Sequence, residues 1–177
     1  MNQKPKSVLF RELLEQPGVL TVPGCYDAIS AIMVEKNGFP VAYMTGFGSS
    51  ASVIGQPDAG IMDFTQMSTH AGNMAHSISI PLIADGDTGY GNAVNVYRTV
   101  KTYAQYEVAA IQLEDQVSPK RCGHTQGKVI VPLNEMLGKL QAALDAAAEK
   151  DIVIIARTDA RAVEGFDAAL ERCLAFE

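Results

Sequence analysis

Ala109-Ala110-Ile111-Gln112-Leu113-Glu114-Asp115 is the stretch that decides how this chain folds: five residues, nearly all apolar, run straight into two acids. Continuous apolar character of this kind marks a strand buried on both faces, as in parallel sheets covered by helices. The acids then stand where the strand ends. Working outward, residues 80–84 repeat the pattern and stop at Asp85-Gly86-Asp87, and residues 41–45 stop at Thr45-Gly46. Residues 152–156, the most hydrophobic run in the chain, stop at Arg157-Thr158-Asp159, and residues 19–23 read as a first strand. Between these runs the apolar spacing changes to that of helices, predicted over 26–37, 63–77, 93–106, 132–149 and 166–176. In the second of these, Phe64, Met67, Ala71, Met74 and Ala75 share one face, and the first closes on Gly38 at a C-cap position. Strand and helix alternating in this way predict a parallel α/β protein. Five such units suit either a doubly wound sheet or the first five units of a (β/α)8 barrel, which usually needs about 250 residues. Both architectures place their active sites at the carboxyl ends of the strands, where the polar groups fall here.

Composition narrows the function classes. The chain has 177 residues, 47% of them hydrophobic, without a linker-like or low-complexity tract, so a single domain over 1–177 is expected. Fourteen Lys and Arg against twenty Asp and Glu give a net charge of −6, which disfavours nucleic acid and anionic membrane surfaces and leaves small molecules or further copies of the chain as partners. Cys25, Cys122 and Cys173 are odd in number and widely spaced, which fits a reducing compartment rather than a disulfide framework. Residues 1–20 carry charges among their apolar positions and lack the core of a secretory signal. No run approaches the about 20 apolar residues of a membrane span. A cytoplasmic protein is expected.

The strand-end acids carry the chemistry. Carboxylates gathered at one rim repel one another unless a cation compensates them, and Asp85, Asp87, Glu114 and Asp115 would converge there. A hard divalent cation resolves this. Mg²⁺ takes oxygen ligands and keeps several waters, so one direct carboxylate with the others on metal-bound water is the natural arrangement. Singly, each Asp beside a Gly also reads as a turn or cap residue. Asp58, in the loop after the second strand, either joins the acids or makes its turn. Gly86, Gly89 and Gly91 lack the spacing and the Lys-Ser/Thr of a phosphate loop. Arg157 at the end of an apolar strand calls for an anion, either a substrate carboxylate or a salt bridge to Glu114 or Asp159. On the long loop 116–131 lies Lys120-Arg121-Cys122-Gly123-His124-Thr125, a thiol among cations that favour its thiolate, or else a cysteine that merely adjoins a basic turn. Long loops of this kind often close over substrate. His70 and His76 read as surface or packing residues, and Cys25 and Cys173 as small buried hydrophobes.

These residues carry a resemblance. Lys120-Arg121-Cys122-Gly123-His124 resembles the signature of the isocitrate lyase and phosphoenolpyruvate mutase superfamily. Pro23-Gly24-Cys25-Tyr26-Asp27-Ala28, Tyr43-Met44-Thr45-Gly46, Asp85-Gly86-Asp87-Thr88-Gly89-Tyr90-Gly91, Gln112-Leu113-Glu114-Asp115-Gln116 and Ala156-Arg157-Thr158-Asp159-Ala160 are similar to further family blocks in order and spacing. The resemblance is nearest to the short lyases that act on 2-methylisocitrate or 2,3-dimethylmalate, and it implies a (β/α)8 barrel that uses Mg²⁺. It implies Asp85 as a direct metal ligand, with Asp58, Asp87 and Glu114 binding directly or through water. Tyr43, Thr45, Gly46 and Phe47 would hold the oxo-acid part of the substrate and Arg157 its carboxylate. Cys122 would protonate the carbanion left by carbon–carbon cleavage, with Gly123 and His124 on the substrate and Lys120 tuning the thiol. Oxaloacetate hydrolysis or a phosphonate-type mutase reaction belongs to the same superfamily. Many members carry Ser at the position of Thr45, and Gly or another aromatic at that of Phe47. Only about the first five strand–helix units are present, so a C-terminally truncated barrel domain is expected, as is a homo-oligomer, dimer or tetramer, at full length. Five open strands would expose two long edges. An inactive truncated paralogue is the non-catalytic reading.

Overall fold

The computed structural model describes residues 4–177; the first three residues of the 1–20 stretch lie outside it. Five strands form one sheet: β1 (Gly24–Cys25), β2 (Ala42–Met44), β3 (Leu82–Asp85), β4 (Ala110–Glu114) and β5 (Val153–Arg157). All pair in parallel, in the order β1-β2-β3-β4-β5. That order settles the alternative left open by periodicity. A doubly wound sheet reverses its strand order at a switch point, whereas a barrel adds each strand beside the last. The chain forms five consecutive units of a (β/α) barrel wall.

The helices are α1 (Lys6–Leu14), α2 (Ala28–Lys36), α3 (Gly46–Ile54), α4 (Phe64–Ser77), α5 (Ala93–Gln105), α6 (Leu133–Glu149), α7 (Ala160–Val163) and α8 (Phe166–Phe176). Asp27 and Asp63 open α2 and α4 with reciprocal caps, their carboxylates accepting from the N–H of Ser30 at 2.7 Å and of Gln66 at 2.8 Å. Three helices escape the apolar periodicity. α1 begins after Pro5 with no side-chain cap, α3 carries two glycines in its first turn, and α7 has only four residues. The first strand also differs from expectation, forming at Gly24–Cys25 rather than 19–23. Pro23 has no N–H to give a sheet, so pairing starts at its carbonyl, which accepts from Tyr43 N at 3.0 Å, and Val19 is 95% exposed.

Side-chain alternation along the strands builds two apolar layers. Met44, Leu82, Ala84, Ile111 and Leu113 face the helices, against Val34, Met67, Met74, Val100, Tyr103 and Leu140. Val41, Ile83 and Ala110 face the other way, into the hollow of the sheet, where Phe10 of α1 packs on them and Tyr43, Val153 and Ile155 are half-buried. α1 therefore closes the amino-terminal end of the hollow. Continuing the same parity upward places Tyr43, Asp85, Gln112, Glu114 and Arg157 on the hollow side at the opposite end. Among the described residues no helix is long and apolar enough to cross a membrane. Cys25 is buried as expected, but Cys173 lies on the solvent side of α8 and is exposed.

Candidate active site

Strands β3, β4 and β5 each run one residue further than predicted, so Asp85, Glu114 and Arg157 are their last members rather than the first residues of loops. Their directions are then fixed by the pleat. Asp85 is buried, its Oδ2 accepting from Gly46 N at 3.1 Å and its Oδ1 from Asp87 N at 3.0 Å. A Cβ at position 46 would stand 2.6 Å from Asp85 Oδ2, so only glycine lets the start of α3 approach this carboxylate. Asp87 sits in the left-handed region at φ 47°. Thr45 caps α3, its Oγ1 accepting from Gly48 N at 3.0 Å, and so turns Gly46 and Phe47 toward the hollow.

Two cations reach the acids. Lys120 Nζ lies 2.5 Å from Asp58 Oδ1 and 2.9 Å from Asp87 Oδ1, and Arg157 joins Glu114 Oε2 at 3.2 Å and Asp159 Oδ2 at 3.1 Å. Of the two readings of Arg157, the salt bridge is present with both candidate partners. Its side chain remains 30% exposed, open to a further anion. Burial lifts the Asp85 carboxyl above its ordinary range against the pull of Lys120. Burial and the neighbouring Asp85 charge push Asp87 up to about 6, and burial pushes Glu114 up to about 8 although Arg157 opposes it. Lys120, which burial alone would depress, is raised by Asp87 and Asp85. Two buried oxygens, Asp87 Oδ1 and Glu114 Oε1, lack an aligned hydrogen bond, the first despite its ionic contact with Lys120.

Buried carboxylates held above their usual range, with two oxygens unmatched, are the donor set a hard divalent cation suits. Among the described residues no three ligating side chains converge tightly enough to share an ion. One direct carboxylate with the others reached through water is the arrangement these positions fit. Asp115 is excluded from it. The pleat turns it away from its neighbour Glu114 into full burial, where it accepts from Thr158 Oγ1 at 2.6 Å, Asp159 N at 2.9 Å and Arg172 at 3.2 Å. It ties β4 to the end of β5 and to α8.

The loop 116–131 folds back on itself. Val117 N donates to Val129 O at 2.8 Å, and Gln116 bridges Ile130. The Gln116 amide grips Arg121 at both backbone atoms, donating to its carbonyl at 2.9 Å and accepting from its N–H at 3.0 Å. Thr125 closes a turn by donating from both N and Oγ1 to Cys122 O. The charged ends of the cations flanking Cys122 go elsewhere: Lys120 to the acids, Arg121 to Gln126 O at 3.3 Å. Lys120 thus holds the acid rim together, rather than standing over the thiol.

Cys122 opens into a cavity of about 340 Å³ at the mouth of the hollow. Tyr43, Thr45, Gly46 and Phe47 line one side, Asp58 and Asp85 the floor, and Cys122, Gly123, His124 and Arg157 the other side. Every one of these residues was singled out from sequence. Asp87, Glu114 and Lys120 stand beside it through their contacts with the floor and with Arg157. Sequence reasoning missed Gln112, which donates to Tyr43 OH at 2.9 Å, together with Gln116 and Lys128. A polar residue interrupting the apolar run of β4 was the signal for Gln112.

Comparison with known proteins supplies the relatives of this arrangement. Residues 10–177 match the family described as phosphoenolpyruvate phosphomutase. The chain is 50% identical over 168 residues to the 2,3-dimethylmalate lyase of Eubacterium barkeri, an alignment covering 95% of this chain and 58% of that protein. The solved structure of oxaloacetate acetylhydrolase with the inhibitor 3,3-difluorooxalacetate superposes with a TM-score of 0.94 at 41% identity, covering 97% of this chain and 60% of that one. A phosphonopyruvate hydrolase structure with oxalate and Mg²⁺ gives a TM-score of 0.87 at 35% identity, covering 98% and 59%. The chain spans about three-fifths of the length of the proteins it matches.

Proposed function

This chain belongs to the phosphoenolpyruvate mutase and isocitrate lyase superfamily, and on that premise we propose that the full-length protein is an Mg²⁺-dependent carbon–carbon lyase. Its substrate is a 2-hydroxy di- or tricarboxylate of the 2,3-dimethylmalate or 2-methylisocitrate type, cleaved to a 2-oxo acid such as pyruvate and a second carboxylate. The observation that carries this reading is a single cavity walled by a thiol and a guanidinium and floored by carboxylates.

Arg157 takes the substrate carboxylate on its exposed side, while Glu114 and Asp159 fix the plane of its fork. Tyr43, Thr45, Gly46 and Phe47 hold the end that becomes the oxo acid. Asp85 would hold Mg²⁺, with Asp58, Asp87 and Glu114 contributing directly or through water. When bound, the ion supplies positive charge that stabilises enolate oxygens. The substrate hydroxyl loses its proton to the carboxylate rim, and its C–O bond becomes the carbonyl. The electrons of the breaking carbon–carbon bond pass to the departing carbon, which takes the Cys122 Sγ proton; solvent restores the thiol. Gly123 and His124 keep this carbon against the sulfur, and Lys120 keeps Asp58 and Asp87 in place.

Oxaloacetate hydrolysis is the second reading, favoured by the close superposition on oxaloacetate acetylhydrolase. Offering 2,3-dimethylmalate, 2-methylisocitrate and oxaloacetate with Mg²⁺ in one product assay separates the two. Pyruvate from either of the first two is expected. Oxalate from oxaloacetate with no cleavage of the others would replace the lyase by the hydrolase. We further propose that the protein assembles as a homo-oligomer in the cytoplasm, which size-exclusion chromatography with light scattering checks for assembly and cell fractionation for location.

A further inference from the structure

The Asp159 carboxylate collects three partners from three parts of the chain. Its Oδ1 accepts from Lys128 Nζ at 3.1 Å and its Oδ2 from Gln116 Nε2 at 3.2 Å, and an Arg157 terminal nitrogen forms an ion pair with Oδ2 at 3.1 Å. Gln116 begins the loop that carries Cys122, Lys128 lies on its return, and Arg157 ends β5. The same Lys128 ammonium donates to Gly123 O at 2.5 Å, one residue from the thiol. Lys128 and Asp159 are both over nine-tenths buried at their side chains, so this ion pair is poorly screened.

We infer that Lys128 and Asp159 are positioning residues that latch the Cys122–Gly123 turn onto the Arg157 guanidinium. The approach they hold is close. A Cβ at Gly123 would stand 2.7 Å from an Arg157 terminal nitrogen, so a side chain there would displace the guanidinium. Without a latch, the loop's own contacts, Gln116 on Arg121 and Thr125 on Cys122, would keep the turn's shape but would not tie it to Arg157. With it, the group proposed to deliver a proton and the group proposed to hold the carboxylate keep a fixed spacing. Lys128 pairs with Asp159, and Arg157 stands between Asp159 and Glu114. When the exposed side of Arg157 takes a substrate carboxylate, Lys128 still neutralises Asp159. This assignment of purpose rests on the lyase reading; the latch itself rests only on the contacts.

The test therefore has two arms. In a Cys173→Ser background, which removes the exposed thiol, alkylation of Cys122 by iodoacetamide is timed without substrate or metal. Lys128→Met and Asp159→Asn should each speed it by about fivefold or more, the double variant no more than either alone, and Lys128→Arg should restore most of the protection. Equal rates in all variants, or fully additive effects, would overturn the latch. The second arm measures 2-oxo acid release by the full-length protein. Lys128→Met should lower kcat by about tenfold with KM nearly unchanged, because binding survives while the proton donor is misplaced. Faster alkylation in the variants of a protein that cleaves none of the substrates would keep the latch and sink the lyase reading. Unchanged kcat in an active protein whose variants alkylate faster would overturn the positioning role.

Discussion

Glu114 and Asp115 are adjacent, chemically alike and both buried, yet one faces the cavity side and the other an internal ion pair with Arg172. Composition cannot separate them; the pleat does. Gly46 shows the same sensitivity at shorter range. A methyl group there would press on Asp85 Oδ2, the proposed metal ligand. Gly46→Ala should weaken Mg²⁺ binding by about tenfold or more, as displacement of a ligand's support does, in isothermal titration. Unchanged affinity would remove Asp85 from the metal site. The acids also make a statement about pH. Asp87 is held near about 6 and Glu114 near about 8, both above the values they would have unfolded, and Asp85 is raised as well. The folded chain then keeps protons that the unfolded chain has already released, so metal-free stability should fall as pH rises from about 5 to about 8. Melting in the presence of chelator should show a lower Tm at the upper end of that window, and Mg²⁺ should recover it. A flat profile would show that these carboxylates are not strained in the metal-free protein.

At the scale of elements, what could be read in advance depended on how each element is stabilised. β3, β4 and β5 and the helices around them announce themselves because burial requires continuous apolar runs and one-sided stripes. Their ends were less legible: Asp85, Glu114 and Arg157 belong to the strands because the parallel ladder extends one residue past the apolar run. α3 was not legible, since Gly46 and Gly48 are poor helix formers and the helix is started by the Thr45 cap. α1 carries no cap, and what holds it is tertiary: Phe10 against Val41, Ile83 and Ala110, with Arg11 reaching Asp151 at 2.9 Å. Phe10→Ala should therefore cost about 3–5 kcal/mol in denaturant unfolding, as emptying a core site does. A loss below about 1 kcal/mol would show that α1 does not close the hollow.

For the whole molecule, strand order mattered more than any motif. The unbroken sequence β1 to β5 turns the alternating pattern into a barrel wall, and only a wall curved in this way brings β2, β3 and β5 to one cavity mouth. Asp85, Asp87, Glu114 and Arg157 were legible because polar groups at the ends of apolar strands stand out, whereas Tyr43, Phe47, Gly123 and His124 were marked only by the family resemblance. The latch was not, because Gln116 and Lys128 look like ordinary loop residues until the loop folds back. The central claim, that this cavity cleaves a carbon–carbon bond and that Cys122 supplies the proton, is tested most directly by pyruvate release from 2,3-dimethylmalate. With full-length protein and Mg²⁺, the wild type should release pyruvate and Cys122→Ser should lose at least about a hundredfold in kcat, the lower end of what a general acid contributes. Equal rates for the two, or no pyruvate from either, would contradict it.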